Sequence, residues 1–278
     1  VRRAINLCFD FEWTKRTLFF GAYERSQSNF ERSDFKAEGL PSPQELALLE
    51  PFRDELPPEV FGDAPLQPVT DGSGRDRKTL GEAARLLAEA GWKRNGDFVV
   101  NAKGERLTVE MLAEDDGIVR LFTPWMEKMR AIGIDASVRQ VDQAQYEQRQ
   151  SAYDFDFILL AWRIGATPTE DSLRILYHSS SADTPGMRNY PGTRSPAVDA
   201  LIAAAGRATS RQELIVALKA LDRVLRARLD WIPTYYLANH RIAYWDMFGF
   251  VEPKPDYGFP AEILWWFDRE RAAKIGKA

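Results

Sequence analysis

Apolar positions recur at helical spacing along much of this chain, and the places where that rhythm changes mark its other elements. Over residues 2–20, Ile5, Phe9 and Trp13 share one face and predict an amphipathic helix. The stretch TLGEAARLLAEAGW puts Thr79 and Glu82 at capping-box spacing, Leu80, Ala83, Leu87 and Ala90 along one side, and Gly91 at the stop. SPAVDALIAAAG carries Ser195 as cap, Pro196 in the first turn, and Val198, Leu201, Ile202 and Ala205 as its apolar face, ending at Gly206. SRQELIVALKALDRVLRARL repeats the capping-box spacing with Ser210 and Glu213, and its stripe runs Leu214, Leu218, Leu221 and Leu225.

Between these helices the period shortens. DFVVNAKGERLTVEML predicts two strands about a turn at Gly104, with Leu107, Val109 and Met111 alternating against Thr108, Glu110 and Leu112. GIVRLFTPWMEKMRAIGI gathers Ile118, Leu121, Phe122, Trp125 and Met129 on a helical face, with Pro124 expected to kink it. IDASVRQV then alternates through Ile134, Ala136 and Val138 as a strand, and QAQYEQRQ predicts a short helix. Residues 155–161 are apolar without alternation apart from Asp156, which predicts a central strand covered on both faces. WIPTYYLA and RIAYWDMF predict two further aromatic-rich strands, and the tail closes on EILWWFD. In an open α/β sheet, ligands gather beyond the carboxyl ends of central strands, so Trp162, Arg163 and Gly165 mark a candidate cleft.

One region has no rhythm. Between Gly21 and Gly74 lie seven prolines, interrupted by a short helix at SPQELALLEPF, where Ser42 caps and Pro43 fits the first turn. A loop that long usually carries function or wraps another part of the molecule.

Composition narrows the function classes. The 278 residues, 45% of them hydrophobic, suffice for one large core or two modest ones. A formal charge of −4 with scattered basic residues argues against a nucleic-acid surface. No apolar run reaches the about 18–20 residues that span a bilayer. The single cysteine, Cys8, sits between Leu7 and Phe9 and is expected to be an inert packed thiol. The start VRRAINLCFDFEW, without an initiator Met, is expected to fall within a longer protein.

Candidate chemistry is sparse. The two histidines, His178 and His240, have no partner at metal-ligand spacing, so no metal site or cofactor is expected. HSSSAD at 178–183 holds triad residue types, but a triad is assembled from separate elements. Asp115 with Asp116, and Glu170 with Asp171, read as solvated carboxylates. What stands out is the load of eight Trp, nine Tyr and sixteen Phe, of which Trp162, Tyr235 and Tyr236 lie near the predicted cleft.

Six ordered segments carry a family resemblance: RRAINLCFDFEW, LGEAARLLAEAGW, AIGIDASVRQVDQAQYEQR, YDFDFILLAW, MRNYPGTRSPAVDALI and WIPTYYLANHRIAYWDMF. Together they resemble the C-terminal half of the family 5 extracellular solute-binding proteins, which serve peptide and nickel ABC importers. LPSPQELALLEPFRDELPPEVF is similar to the branch that binds oligopeptides and microcin C-like peptide conjugates.

The resemblance implies an α/β lobe of the type II periplasmic-binding fold, a mixed sheet flanked by helices, with a wrapping loop over 21–74. It implies residues 1–235 as the second lobe and 236–278 as a crossover and return toward a first lobe upstream. It further implies no catalysis, a peptide or peptide-conjugate ligand, an ABC permease and ATPase as partners, and a periplasmic location behind an upstream signal sequence. Nickel-chelate or sugar binding is the alternative within the class; a hydrolase and a scaffolding role are the alternatives outside it.

Residue by residue, Trp162 matches the tryptophan ending the family's cleft strand, and Tyr235 or Tyr236 an aromatic in its crossover strand. Asn189, with Arg188 beside it, falls in the family's NY-G segment, and Arg25 lies in the stretch Tyr23 to Phe30 that the resemblance brings near the cleft. Oligopeptide binders commonly carry an aspartate for the ligand's ammonium three residues after that tryptophan. Here Gly165 stands there, so the amine anchor does not carry over.

Overall fold

The computed structural model describes residues 1–163, 165–253, 255 and 258–277; Ile164 of the predicted cleft and Lys254, Asp256, Tyr257 and Ala278 of the tail lie outside them. The predicted helix over 2–20 is two helices, α1 (Arg2–Leu7) and α2 (Phe11–Thr17). Asp10 causes the break. Its carboxylate caps α2 by accepting from Trp13 N at 3.0 Å, and it also takes Thr70 Oγ1 at 2.5 Å and Gly74 N at 2.9 Å. A buried carboxylate that collects donors from the far end of the long loop cannot also lie along a continuous helix. β1 (Tyr23–Arg25) follows, and the wrapping loop contains α3 (Pro43–Leu49), which has the full Ser42–Glu45 capping box.

α4 (Arg77–Glu89) starts earlier than the sequence suggests, because Asp76 caps it through Lys78 N and Thr79 N in place of Thr79. Gly91, at φ +87°, ends it as expected. β2 (Lys93–Asn95) and β3 (Phe98–Val100) pair antiparallel, while β4 (Thr108–Ala113) leaves the predicted hairpin. The turn at Gly104 does form, organised by Asn101 Oδ1, which accepts from Lys103 N and Glu105 N, but only the bridge Val100–Arg106 joins its two sides. β4 instead pairs in parallel with β5 (Asp135–Gln140) through the crossover helix α5 (Asp116–Ala131), which continues past Pro124. This βαβ choice buries the α5 face against both strands, which a hairpin could not do. Trp125, fully enclosed, donates its Nε1 to Ile5 O at 2.8 Å and fastens α5 to α1.

α6 (Gln143–Ser151) leads to the stretch predicted as a central strand. That prediction is corrected. Phe157 makes one parallel bridge to Met111 and accepts from Leu112 N at 2.9 Å; the chain beyond it is half-buried, and Ala161 is exposed. Apolar composition makes a segment buriable, but coverage needs neighbours, and among the described residues no strand lies on its second edge.

α7 (Glu170–Tyr177), α8 (Pro196–Gly206) and α9 (Arg211–Arg228) form the other half. Ser195 and Ser210 cap α8 and α9 as predicted, and the Glu213 carboxylate accepts from Thr209 N at 2.7 Å. The Leu stripe of α9 joins Val198, Leu201 and Ile202 of α8 in one core, and Phe30, Phe35, Leu49 and Val60 of the wrapping loop seal it. A second core unites α1, α4 and α5 with β4 and β5.

The loop is held by a polar face of α9 that hydrophobic periodicity does not reveal. Asp222, fully buried, accepts from Ser28 Oγ at 2.8 Å, Asn29 N at 3.2 Å and Ala37 N at 3.0 Å. Arg223 donates to the carbonyls of Glu38, Gly39 and Gly62, and Arg226 to those of Ala37 and Pro65. A segment with few backbone partners of its own thus satisfies its carbonyls on two buried guanidiniums.

β6 (Tyr235–Leu237) pairs antiparallel with β1. β7 (Phe248–Phe250) pairs with β8 (Trp265–Phe267), preceded by α10 (Ala261–Leu264) and followed by α11 (Arg269–Lys274). The predicted strand RIAYWDMF is therefore confined to its end and the Gly-Phe that follows. Among the described residues, the mixed sheet expected of the fold consists of four two-stranded ladders, one parallel and three antiparallel. No helix among the described residues is long and apolar enough to cross a membrane.

Candidate functional site

Two aromatic groups lie around the predicted cleft, one at Trp162 and one on the core that Phe157 and Leu159 share with Phe19 and Tyr235. In the first, the Trp162 ring meets Trp231 edge-on with centroids 5.1 Å apart. Trp231 in turn contacts Tyr190 at 6.4 Å and Tyr177 at 6.5 Å, and Tyr190 contacts Tyr153 at 5.6 Å and Phe155 at 5.7 Å. The Tyr153 hydroxyl donates toward Thr184 O and Met187 O, both at 3.1 Å, which hangs the 184–190 loop on the turn after α6.

In the second group, Phe19, Tyr23 and Tyr235 contact one another at 4.5–5.2 Å. Burial, with smaller contributions from Tyr23 and Asp115, pushes the Tyr235 hydroxyl up to about 12. Trp231 belongs to the first group and Tyr235 to the second, so the three intervening residues keep their backbones within about 14 Å of each other.

The predicted residues fall unevenly on this frame. Trp162 is half-buried at its inner edge, Arg163 is exposed, and a side chain at Gly165 would meet nothing within 4 Å. Gly165 also lacks a positive φ, so its own chain gives no reason for a glycine there. Arg188 is exposed, with its backbone N donating to Ile175 O at 3.0 Å.

Asn189 is fully buried, and its side chain is used within the loop: Nδ2 donates to His178 O and Thr193 O, and Oδ1 accepts from Thr193 N. It shapes the site from beneath and has no polar atom to spare for a ligand. Tyr236, one residue from Tyr235, points to the opposite face of β6, where it pairs in register with Glu24.

Arg25 is enclosed between the second group and the wrapping loop. Its guanidinium donates to Asn6 Oδ1 at 3.2 Å, Gln67 Oε1 at 3.3 Å and Thr234 O at 3.4 Å, and lies 4.8 Å from the Phe9 ring centre. Desolvation lowers its pKa to about 10, opposed by the charge of Glu12. All of its hydrogen-bond partners are neutral, so it joins α1, the loop and the start of β6 without an ion pair.

Sequence reasoning did not single out Trp231 and Tyr190. Their signal was present, since Trp231 opens WIPTYY and Tyr190 follows Asn189.

His178 and Ser180, from the tempting HSSSAD stretch, do come together with Asp199. His178 Nδ1 accepts from Ser180 N at 3.0 Å, and Nε2 lies 3.7 Å from Asp199 Oδ1. The first contact makes His178 the cap of the following turn. An open apolar groove along α4, lined by Leu80, Ala84, Ala88 and Trp92, includes none of the predicted residues.

This arrangement has the fold of the type II periplasmic binding proteins. NikZ from Campylobacter jejuni, crystallised with Ni(L-His), superposes with a TM-score of 0.65 at 18% identity over 85% of this chain and 41% of that one. AppA from Bacillus subtilis, in complex with a nonapeptide, gives 0.60 at 17% identity over 84% and 41%.

Sequence comparison places the chain further. The bacterial extracellular solute-binding proteins, family 5 (middle), match residues 1–184. The probable peptide-binding protein YejA of Agrobacterium fabrum is 38% identical over 267 residues, 96% of this chain and 43% of that protein. An uncharacterized YejA of Escherichia coli K12 is 36% identical over 280 residues, 100% of this chain and 46% of that protein. The chain belongs to the family 5 bacterial extracellular solute-binding proteins, as the sequence resemblance implied. It spans less than half the length of the curated relatives it matches.

Proposed function

We propose that this chain is the second lobe of the substrate-capture component of an ABC importer for oligopeptides or peptide conjugates, working in the periplasm with a permease and an ATPase. The observation that carries the reading is the segment 158–163. It lies in no helix, strand or turn, and among the described residues none of its backbone N–H groups has a partner. Its Leu159 packs on the core that also takes Phe19 and Tyr235, its Trp162 joins the other aromatic group, and it ends near a glycine whose missing side chain its own chain does not require. An extended peptide can pair with such a free backbone edge while aromatic walls receive its side chains. Affinity then comes from enclosure between lobes, and no bond is made or broken.

Within this reading, residues 1–235 form the lobe, and 236–278 turn toward the lobe contributed by the rest of the protein. Support comes from burial. Beyond Leu229 the core of the described residues continues only in the small Ala272, and an exposed apolar series that includes Ile242, Trp245, Ile263, Trp266 and Phe267 takes its place.

The test is native mass spectrometry of the full-length protein purified from its own host, followed by titration with defined peptides. Co-purifying peptide masses and micromolar or tighter binding support the reading. A bound metal chelate or oligosaccharide, with no binding of peptides, overturns it.

A further inference from the structure

Trp231 has a feature that neither packing nor its place in the chain explains. Its body packs on the α8–α9 core, yet its indole Nε1 is buried without a hydrogen-bond partner among the described residues. A buried donor left unmade is costly, and this one sits on a ring in contact with the half-buried Trp162, which points to an acceptor supplied from outside this chain.

Trp162, near the end of segment 158–163, touches Trp231 edge-on. Trp162 is only half-buried, and it is followed by the exposed Arg163 and Gly165. Its ring can therefore turn aside without disturbing either core.

We propose that Trp231 forms the floor of a ligand side-chain subsite with Trp162 as its movable wall. The subsite takes a narrow side chain that ends in a hydrogen-bond acceptor, such as a carboxamide, and the indole N–H donates to that acceptor. This rests on the peptide-binding reading and names the side-chain chemistry one of its positions selects. A flat aromatic surface receives the stem of such a side chain, and the buried donor rejects an apolar tip, because the N–H would then remain unpaired.

The experiment uses the full-length protein and tetra-alanine peptides carrying Gln, or the similarly shaped Met, at each position in turn. Affinities are measured by calorimetry for the natural protein and for Trp231→Phe, which keeps an aromatic ring and removes the donor. At one position the natural protein should prefer Gln over Met by about tenfold. In Trp231→Phe that ratio should collapse toward one, whatever change in affinity the two peptides share. A merely structural role for Trp231 would weaken both peptides alike and leave the ratio standing, which overturns the proposal. Peptide binding with no Gln preference at any position also overturns it, while leaving the peptide-binding reading intact. Failure of every peptide to bind removes both.

Discussion

Arg223 on α9 and Glu45 on α3 meet through Nε and Oε2 at 2.6 Å, with both side chains buried, although 178 residues separate them in the chain. The remaining donors of Arg223 go to carbonyls of the wrapping loop, so this pair locks a proline-rich segment onto the α8–α9 core. Removing one member leaves the other as an uncompensated buried charge. Glu45→Ala and Arg223→Met should each lose about 3–5 kcal/mol in urea unfolding, and the double substitution Glu45→Met with Arg223→Met less than their sum. Limited proteolysis of the single variants should cut first within residues 21–74. Losses under about 1 kcal/mol would show that the loop is held chiefly by its apolar contacts.

Cys8 is fully enclosed, and burial pushes its thiol from the usual 9.0 up to about 12. The thiol should resist a disulfide reagent at pH 8 in the folded chain and react once urea unfolds it. The sign of the pH effect follows. The folded chain keeps its proton above pH 9 while the unfolded chain loses it, so this contribution to stability is complete below pH 9 and fades as pH rises toward 12. Within that window the slope is at most about 1.4 kcal/mol per pH unit. Comparing unfolding of the natural chain and Cys8→Ala between pH 8 and 11 should show a shallower decline in the variant.

Asn189 separates a ligand contact from a structural support. Asn189→Ala leaves His178 O, Thr193 O and Thr193 N without their present partner, which should cost about 1–3 kcal/mol of stability. In the full-length protein, any loss of peptide affinity should be the same for every peptide. A loss that varied with the side chain or terminus of the peptide would show that Asn189 contacts the ligand.

Gly165 offers no carboxylate to a ligand ammonium. A site that relied on such a pair would lose roughly 10- to 150-fold on N-acetylation of the peptide. The expected change here is under about threefold, while Trp162→Ala should weaken free and acetylated peptides alike by about tenfold or more. A large loss on acetylation would place an ammonium-binding acid elsewhere in the site. Unchanged binding by Trp162→Ala would remove that ring from the ligand's path.

Local chemistry determined a good part of this protein. The stripes and caps of α8 and α9, the stop at Gly91, the capping box of α3 and the inert setting of Cys8 all depend on residues a few positions apart, so they are legible in order along the chain. The family was equally legible, because its ordered segments are themselves strings of such local features.

Tertiary structure decided what depends on a partner far away in sequence. Asp10 breaks the first helix because Thr70 and Gly74 come to it, and β4 leaves its hairpin because α5 needs two parallel strands to cover. Asp222, Arg223 and Arg226 lie outside the Leu stripe of α9 and are buried because the loop brings its unpaired groups to them. Residues 155–161 read as a strand covered on both faces, yet among the described residues no strand pairs with their second edge, because burial is conferred by neighbours and composition only permits it. Trp231 escaped notice for the same reason: an indole N–H without an acceptor is a relation among surrounding residues, and no pattern in the linear sequence encodes it.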